Sequence, residues 1–355
     1  MNFWNEMKKP ILCLAPLADV TDVAFRHIIA KYSKEMSKGA FEMPRSQKAP
    51  FDISTYVTYT EFVSADGLVL APETGRRRLL KDLEYSEIER PIVAQLFSSN
   101  PENMKKVASL VMELGFDGVD INMGCPDKSV EKQGAGAALI KNPKLAREII
   151  RYAKTGIKEA AERLGKEEIP LSVKTRLGYN DDELESWLPE LLAENPAAII
   201  IHARTRKEMS KVPARWERIR RAVEIRDEVS RFNLDTQKTL IIGNGDVLDV
   251  ADAIKKCEES GADGAMLGRA VFGNPWLFST HVPTASEKLK VLLEHIKLFE
   301  EKLGGVKNFA VMKKHFKAYL SGFPVGSDFR LKELRDRLMQ TKDAKDAEIL
   351  LSEYL

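Results

Sequence analysis

The sequence predicts an α/β fold in which eight parallel strands alternate with helices, followed by a small all-α region. Short apolar runs recur from Ile11 to Leu267, and longer amphipathic runs separate them. Residues 285–355 contain helical patterns and no strand-like run. Eight strands alternating with helices fit a TIM (β/α)8 barrel, with an open doubly wound sheet as the alternative. A chain of 355 residues is long enough for one barrel and a small second domain.

Most of the eight apolar runs lack the alternation of a strand with one wet face, as expected for parallel strands buried on both sides. The predicted strands are Ile11–Leu14, Val57–Phe62, Ile92–Phe97, Gly118–Asn122, Leu171–Thr175, Ala198–His202, Leu240–Gly243 and Gly264–Leu267. The carboxyl ends of barrel strands meet at one face. The residues that follow these strands are therefore the candidates for a functional site.

Three of the intervening helices carry clear end signals. A helix over Asn103–Leu114 follows a Ser-Asn-Pro-Glu segment and ends before Gly115. Asn142–Glu159 begins with Asn-Pro, a capping residue followed by proline at the first helical position. Val247–Glu259 follows a Gly-Asn-Gly-Asp segment and ends before Gly261.

The pattern changes after Pro275, where the strand-like runs have ended. Apolar residues then recur at helical spacing, namely Leu289, Leu292, Leu293 and Ile296, and later Phe309, Met312 and Phe316. We therefore expect a catalytic barrel domain over residues 1–283 and a helical domain over residues 284–355. Within the barrel domain, the polar segment Ser37–Ser54 is expected to form a mobile loop.

Composition excludes several classes of protein. The formal net charge is only +2, so a nucleic-acid surface would have to be a local patch. The three cysteines form no CxxC pair, which argues against a disulfide framework or a structural zinc site and favours a reducing compartment. No apolar run reaches the roughly 18 residues that a membrane-spanning helix needs. We therefore expect a cytoplasmic protein that uses neither a membrane nor a metal.

Two glycine-containing segments predict a phosphate site. Asn244, Gly245 and Asp246 follow the seventh strand, and Gly268 and Arg269 follow the eighth. Glycine lets backbone N–H groups approach an anion, and the ends of these two strands are the usual phosphate site of the barrel. The alternative is that each glycine only permits a tight turn.

Three further polar residues lie on or at the ends of inner strands. Lys174 and His202 could hold negative charge on a flavin ring system, and the Gln95 amide could pair with a flavin pyrimidine edge. The alternative for Lys174 is a buried lysine bonded to a barrel carboxylate, either Asp120 or Glu61.

Cys125 is the candidate catalytic residue, because it follows the fourth strand in a Gly-Cys-Pro turn. A thiol on a loop at the barrel mouth can act as an acid or a nucleophile. Most free cysteines are small buried apolar residues. Cys13, within a strand, and Cys257, within a helix, fit that description.

Three arginines would flank the mouth of the pocket. Arg176 ends the fifth strand, and Arg204 and Arg206 follow the sixth. Arginine suits the recognition of phosphates and base edges, so all three are candidates for substrate binding. The alternative is ordinary ion pairing at the surface.

Taken together in chain order, these segments resemble tRNA-dihydrouridine synthases, a family of FMN-dependent enzymes. The matching segments are Ala15–Asp22 with Phe25-Arg26, Asp120–Pro126 with Gly134–Leu139, Val173–Gly178, His202–Arg206 and Gly243–Asp246. The resemblance extends from about residue 10 to residue 280, with a weaker match between Lys314 and Gly322. The segment around Cys125 is specific, whereas the Ala-Pro and Gly-Asn-Gly segments also occur in other FMN barrels.

The resemblance implies a role for each matching residue. The flavin ring and ribityl chain would be bordered by Pro16, Leu17, Ala18, Gln95, Lys174 and His202. The FMN phosphate would be bound by Asn244, Gly245, Asp246, Gly268 and Arg269. The target uridine or its phosphates would contact Asn122, Arg176 and Arg204.

The reaction implied by the resemblance is the reduction of uridine in tRNA. NADPH, or NADH, would reduce FMN, hydride would pass from FMN N5 to uridine C6, and Cys125 would give a proton to C5. The helical domain, with a basic excess over residues 305–339, would bind RNA. A monomer is expected.

Two departures from the family pattern concern the substrate position and the branch of the family, and two alternative functions also stay open. Leu17-Ala18-Asp19 stands where the family usually has Met-Ala-Gly, and Ala203 stands where glycine is common. A small-molecule FMN oxidoreductase of the dihydroorotate or dihydropyrimidine dehydrogenase type is one alternative. A flavin-bearing RNA-binding protein without turnover is the other. The sequence does not assign the uridine position.

Overall fold

A computed structural model describes residues 2–35, 55–231, 238–321 and 329–355. The predicted loop Ser37–Ser54 lies outside the described residues. Contacts between Cα atoms divide the chain into two compact units, which are described separately. The first unit comprises residues 1–16, 56–83 and 90–268, and the second comprises residues 17–55, 84–89 and 269–355. The predicted domain boundary at residues 283 and 284 falls within the second unit and stays a prediction.

The first unit is built on one parallel sheet, with nine strands in the described part of the chain. They are β1 (Ile11–Leu14), β2 (Thr58–Tyr59), β3 (Val63–Ser64), β4 (Ile92–Phe97), β5 (Gly118–Asn122), β6 (Leu171–Arg176), β7 (Ala198–His202), β8 (Leu240–Asn244) and β9 (Gly264–Leu267). The strand order is β1-β9-β8-β7-β6-β5-β4-β2, and β3 also pairs with β4.

Backbone hydrogen bonds near Val57 close this sheet into a ring. Leu14 N donates to Val57 O over 2.8 Å, and Val57 N donates to Leu12 O over 2.9 Å, which joins β1 to the residues that precede β2. The prediction of a TIM barrel is therefore confirmed, and the open doubly wound sheet is wrong. The strands are buried on both faces, as their continuous apolar sequences predicted.

The second predicted strand differs from prediction, because Val57–Phe62 is interrupted in its middle. The two short strands β2 and β3 occupy its place. The Thr60 hydroxyl oxygen accepts the backbone N–H of Gln95 over 3.0 Å. A side chain thus takes a position that a strand carbonyl would otherwise fill, which interrupts the regular ladder.

The described part of the chain contains thirteen α-helices. They are Val23–Ala30, Ala65–Leu70, Glu73–Asp82, Pro101–Glu113, Lys128–Lys132, Pro143–Leu164, Leu184–Leu192, Trp216–Ser230, Val250–Ser260, Ala285–Leu303, Met312–Tyr319, Phe329–Leu338 and Ala344–Ser352. The three helices predicted from end signals are confirmed with shifted bounds. The side chains of Asn100, Asn142 and Asp249 cap them. None of the described helices is long and apolar enough to cross a membrane.

The second unit has a core of aromatic rings around Phe25. This ring lies 4.9 Å from that of His295, 4.5 Å from that of His315 and 6.5 Å from that of Tyr319, measured between centroids. All four side chains are buried. The described residues from 285 to 355 form helices and turns and contain no strand.

A fully buried ion pair lies in the same unit. Arg26 Nε donates to Glu89 Oε2 over 2.8 Å, and neither side chain is exposed to solvent. The guanidinium also donates to the carbonyl oxygens of Thr21 and Glu84, and Glu89 accepts the backbone N–H of Ser86. Each charge is therefore matched by several hydrogen bonds, which a buried ion pair needs.

Candidate active site

The strand register brings the polar residues of the first unit together. The register pairs are Gln95 with Asp120, Asn122 with Lys174, Arg176 with His202, and His202 with Asn244. These residues lie on five consecutive strands, β4 to β8, with Asp120 at the middle of β5 and the others in the carboxyl-terminal half of their strands. Catalytic groups of barrel enzymes lie at this end of the strands, so this is the candidate active site.

The loop that carries Cys125 is held by two side chains. Asn122 Oδ1 accepts the backbone N–H groups of Gly124 over 3.1 Å and of Cys125 over 2.9 Å. Arg176 Nε donates to the carbonyl oxygen of Gly124 over 2.7 Å. Both polar groups of the peptide before the thiol are therefore fixed, and the thiol has a defined position.

The glycine-rich segment after the Cys125 loop packs against its backbone. Gly136 has a φ of 61°, and a Cβ atom built there would lie 2.8 Å from both Cys125 O and Val130 Cγ1. Ala137 N donates to Cys125 O over 3.0 Å. Only glycine allows this close approach, so the trailing glycine of the motif shapes the loop.

The Cys125 thiol is half-buried and packs against an apolar cluster. This cluster contains Phe97, Val130 and Ala135, with Phe62 at its margin. Burial raises the pKa of the Cys125 thiol. The thiol therefore remains protonated at neutral pH, as a proton donor requires.

The two other cysteines are buried, as their sequence positions predicted. Cys13 lies within β1 and Cys257 lies within the helix Val250–Ser260. Burial raises the pKa of Cys257 to about 12. Cys125 is thus the one cysteine of the chain whose side chain is partly accessible.

A chain of hydrogen bonds lies beneath the Cys125 loop. Asn122 Nδ2 donates to Gln95 Oε1 over 3.0 Å, and Gln95 Nε2 donates to Asp120 Oδ2 over 2.7 Å. Ser172 Oγ donates to Asp120 Oδ1 over 2.6 Å. Burial raises the pKa of Asp120 to about 6, although these hydrogen bonds and Lys174 oppose that shift.

Lys174 is half-buried and donates to Asn244 Oδ1 over 3.0 Å. The hydrogen bond of this lysine therefore goes to an amide rather than to Asp120 or Glu61, the carboxylates that the sequence left as alternatives. Burial, together with the nearby charge of Arg176, lowers the pKa of Lys174 to about 8. The ammonium is thus a cation with a pKa close to neutral.

The three arginines predicted to bind substrate are more enclosed by protein groups than the sequence indicated. Arg204 is only 3% exposed and forms an ion pair with Asp246. Its Nη1 lies 3.1 Å from His202 Nε2, and its Nε donates to a backbone carbonyl. Arg206 forms a bidentate ion pair with Glu131. Substrate binding by Arg176, Arg204 and Arg206 stays a prediction, since each guanidinium contacts protein groups.

The predicted phosphate segments divide between the two units. Gly245 has a φ of 118°, and a Cβ atom there would lie 2.9 Å from Ala214 Cβ and 3.0 Å from His202 Cδ2, so this position requires glycine. Gly268 and Pro16 also belong to the first unit. Leu17, Ala18 and Arg269 belong to the second unit and are exposed or half-buried.

Sequence reasoning missed two carboxylates of this site. The sequence offers Asp120 as a partner for Lys174 and as part of a matching segment, whereas its bonds to Gln95 and Ser172 depend on strand register. Glu131 had no signal at all, because it lies 75 residues from Arg206. Among the described residues, no group of three or more His, Cys, Asp or Glu side chains could hold a metal ion.

Comparison with known proteins gives consistent matches over the whole chain. The model of the dihydrouridine synthase family, Dus, matches residues 13–354. "Probable tRNA-dihydrouridine synthase 2" of Bacillus subtilis (strain 168) is 36% identical over 357 aligned positions, covering 99% of this chain and 96% of that protein. "Probable tRNA-dihydrouridine synthase" of Staphylococcus aureus (strain COL) is 35% identical, covering 99% and 95%. Among solved structures, histamine dehydrogenase from Rhizobium sp. 4-9 aligns with a TM-score of 0.47 and 10% identity, covering 81% of this chain and 48% of that one.

Proposed function

Because the chain belongs to the dihydrouridine synthase family, we propose that it reduces uridines in tRNA to 5,6-dihydrouridine. The match covers nearly the full length of both this chain and its relatives, which supports transfer of the whole reaction. The candidate site supplies the groups that such a reaction needs, namely a thiol, a buried cation and an amide at strand ends.

The predicted cofactor is a flavin mononucleotide, and the chemistry of the predicted residues suits it. An ammonium has three donor hydrogens, and the one described hydrogen bond of Lys174 uses one of them on Asn244. Gln95, Lys174 and His202 would hold the ring system, with Pro16, Leu17 and Ala18 along it. The phosphate would be bound by Asn244, Gly245, Asp246, Gly268 and Arg269. When bound, the flavin supplies the hydride that C6 of the uracil ring receives.

The observation that carries this proposal is the state of Cys125. Its thiol lies on a loop fixed by Asn122 and Arg176, it is partly accessible, and burial raises its pKa. It can therefore deliver a proton to C5 of the uracil ring at neutral pH. An alkyl thiol with a depressed pKa would instead be ionised and unable to do so.

The substrate proposal concerns tRNA and its target base. A uridine within a folded RNA must leave its stack to reach the end of a barrel. Asn122, Arg176, Arg204 and Arg206 would contact the base or its phosphates. NADPH is proposed as the reductant, and the basic helical region of residues 284–355 as a further RNA contact. A monomeric state and a cytoplasmic location also stay predictions.

An assay of dihydrouridine in tRNA tests the proposed function. Purified protein is incubated with FMN, unmodified tRNA and either NADPH or NADH, and dihydrouridine is measured by mass spectrometry of the nucleosides. We expect dihydrouridine with NADPH and none without a reductant. Absence of the product, with reduction of orotate or free uracil instead, would favour a small-molecule oxidoreductase. Absence of any turnover would favour a binding protein.

The Cys125→Ala variant tests the proton donor. Loss of a positioned general acid lowers the rate by about 10²- to 10⁴-fold, while the flavin absorbance of the purified protein should persist. Cys257→Ala is the matched control, because that thiol lies within a helix away from the strand ends and should leave turnover unchanged. Unimpaired turnover of Cys125→Ala would show that another group donates the proton.

A further inference from the structure

In the chain of hydrogen bonds under Cys125, every bond is donated from the side of the Cys125 loop toward Asp120 or accepted in that same sense, so that the donors and acceptors can be arranged in only one way. At one end lies Asp120, whose ionised carboxylate can only accept hydrogen bonds. At the other end lie the backbone N–H groups of Gly124 and Cys125, which can only donate. Between them lie two side-chain amides, Gln95 and Asn122, each of which both donates and accepts.

The two ends together fix the orientation of both amides. Asp120 requires the Nε2 group of Gln95, so Gln95 Oε1 must face Asn122. Asn122 must then present Nδ2 to Gln95 and Oδ1 to the backbone of the Cys125 loop. Reversing either amide would place two donors or two acceptors against each other in a buried site, where an unmade hydrogen bond is costly.

We propose that Asp120 is a positioning residue that sets the direction of this chain and thereby holds the Cys125 loop in place for proton donation. The proposal rests on the proposed function for its catalytic meaning, but the position of the loop can be measured without turnover. Asp120 does not touch the loop itself. It acts through Gln95 and Asn122, while Ser172 holds its second oxygen.

A purely structural role accounts poorly for a carboxylate at this position. Asp120 is completely buried, and its hydrogen bonds come from Ser172 and Gln95 rather than from a cation. Burial of a carboxylate without a directly bonded cation costs free energy that a neutral side chain would avoid. What the carboxylate provides, and a neutral amide does not, is an acceptor that cannot donate.

Other titratable groups also interact with Asp120 from other strands of the barrel. Cys13 on β1 and Tyr59 on β2 are influenced by its charge, and Lys174 on β6 stabilises that charge. Burial raises the pKa of both Cys13 and Tyr59 well above their ordinary values, so neither ionises near neutral pH. Lys174 remains protonated below about pH 8. None of these three groups changes its charge near pH 6, so an effect near that pH that is lost when Asp120 is replaced would belong to Asp120.

The Asp120→Asn variant tests the proposal, because asparagine keeps the shape but can donate as well as accept. We expect kcat to fall on the order of 10- to 100-fold with little change in KM for tRNA, since misplacement of a catalytic group costs rate rather than binding. The acidic limb of the kcat profile near pH 6 should disappear. In the absence of substrate, alkylation of Cys125 by iodoacetamide should become severalfold faster, because the loop is less fixed.

The control is Asp117→Asn, which neutralises another aspartate of the first unit. Asp117 bonds Arg90 and the backbone of Ile92 before β5 begins, so alkylation of Cys125 should match the unmodified sequence. Unchanged alkylation and kcat in Asp120→Asn would overturn the proposal. A lower kcat with an unchanged alkylation rate and an unchanged acidic limb would overturn it as well.

A second variant covers the case in which Asp120→Asn fails to fold. Ser172→Ala removes one hydrogen bond that lowers the pKa of Asp120, so the acidic limb should move to higher pH. A limb that does not move would overturn the proposal. If the unmodified chain forms no dihydrouridine, the proposed function fails, whereas the alkylation comparison still decides whether Asp120 positions Cys125.

Discussion

The barrel of the first unit and the aromatic core of the second both bury titratable side chains, but Asp120 in the barrel and the two histidines of the core differ in their hydrogen bonds. In the barrel, both carboxylate oxygens of Asp120 accept hydrogen bonds. In the second unit, no ring nitrogen of His295 or His315 has a hydrogen-bond partner among the described residues. The rings of the two histidines lie 4.6 Å apart. A partnered group can fix the orientation of its neighbours, whereas an unpartnered one contributes only packing.

Desolvation dominates the pKa in both regions and acts in opposite directions. Burial raises the pKa of Asp120 to about 6 from an ordinary value of 3.8, and it lowers the pKa of His315 to about 3 from 6.5. Asp120 therefore contributes stability below pH 3.8 that is lost as pH rises through 6. His315 contributes stability above pH 6.5 that is lost as pH falls toward 3. Acid should therefore strengthen one region and weaken the other.

The largest loss of stability is expected on replacing Arg26. This residue tests whether hydrogen bonding, rather than position in the second unit, decides what a buried polar side chain contributes. Arg26 lies in the same unit as the two histidines, yet each nitrogen of its guanidinium donates a hydrogen bond. Arg26→Leu would leave Glu89 as a buried unpaired charge, so we expect the free energy of unfolding to fall by about 3–5 kcal/mol. Urea unfolding at pH 7 measures this.

The control for Arg26 is an exposed ion pair of similar geometry. Arg77 bonds Glu73 over 2.9 Å, and both side chains are largely exposed. Arg77→Leu should leave the urea midpoint essentially unchanged, because solvent screens exposed pairs. If the two variants lost the same stability, burial and partnering would not be what distinguishes these regions.

The next largest effect is the acid sensitivity of the histidine core. From pH 7 to pH 4, the lowered pKa of His315 should reduce the free energy of unfolding by about 3 kcal/mol. The pKa of His295 is also lowered by burial, and the charge of a protonated His315 would lower it further. Urea unfolding between pH 4 and pH 7 should therefore show a steep slope that His295→Leu/His315→Leu flattens.

The matched control for that slope is His281, which is half-buried and bonds Glu287. His281→Gln removes a titratable ring that water can already reach, so the slope should persist. A slope that is the same with and without His295 and His315 would mean that other groups govern the acid response.

In the barrel, Asp120→Asn should raise the free energy of unfolding rather than lower it. Because the ionised carboxylate is disfavoured by burial, the amide should raise the free energy of unfolding at pH 7 by about 2 kcal/mol, with a much smaller gain at pH 4. Urea unfolding of this variant at both pH values checks the sign. A loss of stability at pH 7 would mean that the hydrogen bonds accepted by the carboxylate outweigh the cost of burying its charge.

The strands of the barrel could be predicted closely, because their burial on both faces leaves continuous apolar runs. β1, β4, β5, β7 and β9 match their predicted bounds, whereas the second predicted strand is split at Thr60. That split depends on a side-chain hydrogen bond to Gln95, 35 residues away. Local sequence carries no information about a contact of that kind.

The same limit applies to the candidate site. Cys125 and Lys174 could be identified because glycine, proline and charge stand at strand ends. The hydrogen-bond partners of other site residues could not, since the bonds of Gln95 to Asp120, of Arg206 to Glu131 and of Arg204 to Asp246 join residues that are far apart in the chain. Sequence therefore readily predicts which side chains lie at the end of the barrel. It predicts less readily which of them form hydrogen bonds or ion pairs with other residues of the chain.

The smallest loss of stability is expected at the cap of the helix that carries His295. This loss tests whether the end of the helix and the buried histidine ring contribute independently to stability. Thr284 and Glu287 form a capping box at the start of Ala285–Leu303, with the Glu287 carboxylate accepting the Thr284 backbone N–H over 2.7 Å. Thr284→Ala should lower the free energy of unfolding by about 1 kcal/mol. Because the cap lies at the exposed end of the helix, the loss should be equal at pH 7 and pH 5.5 in urea unfolding. A larger loss at pH 5.5 would mean that protonation of the core depends on fraying of this helix, and the histidine slope would then report local opening rather than desolvation of the rings.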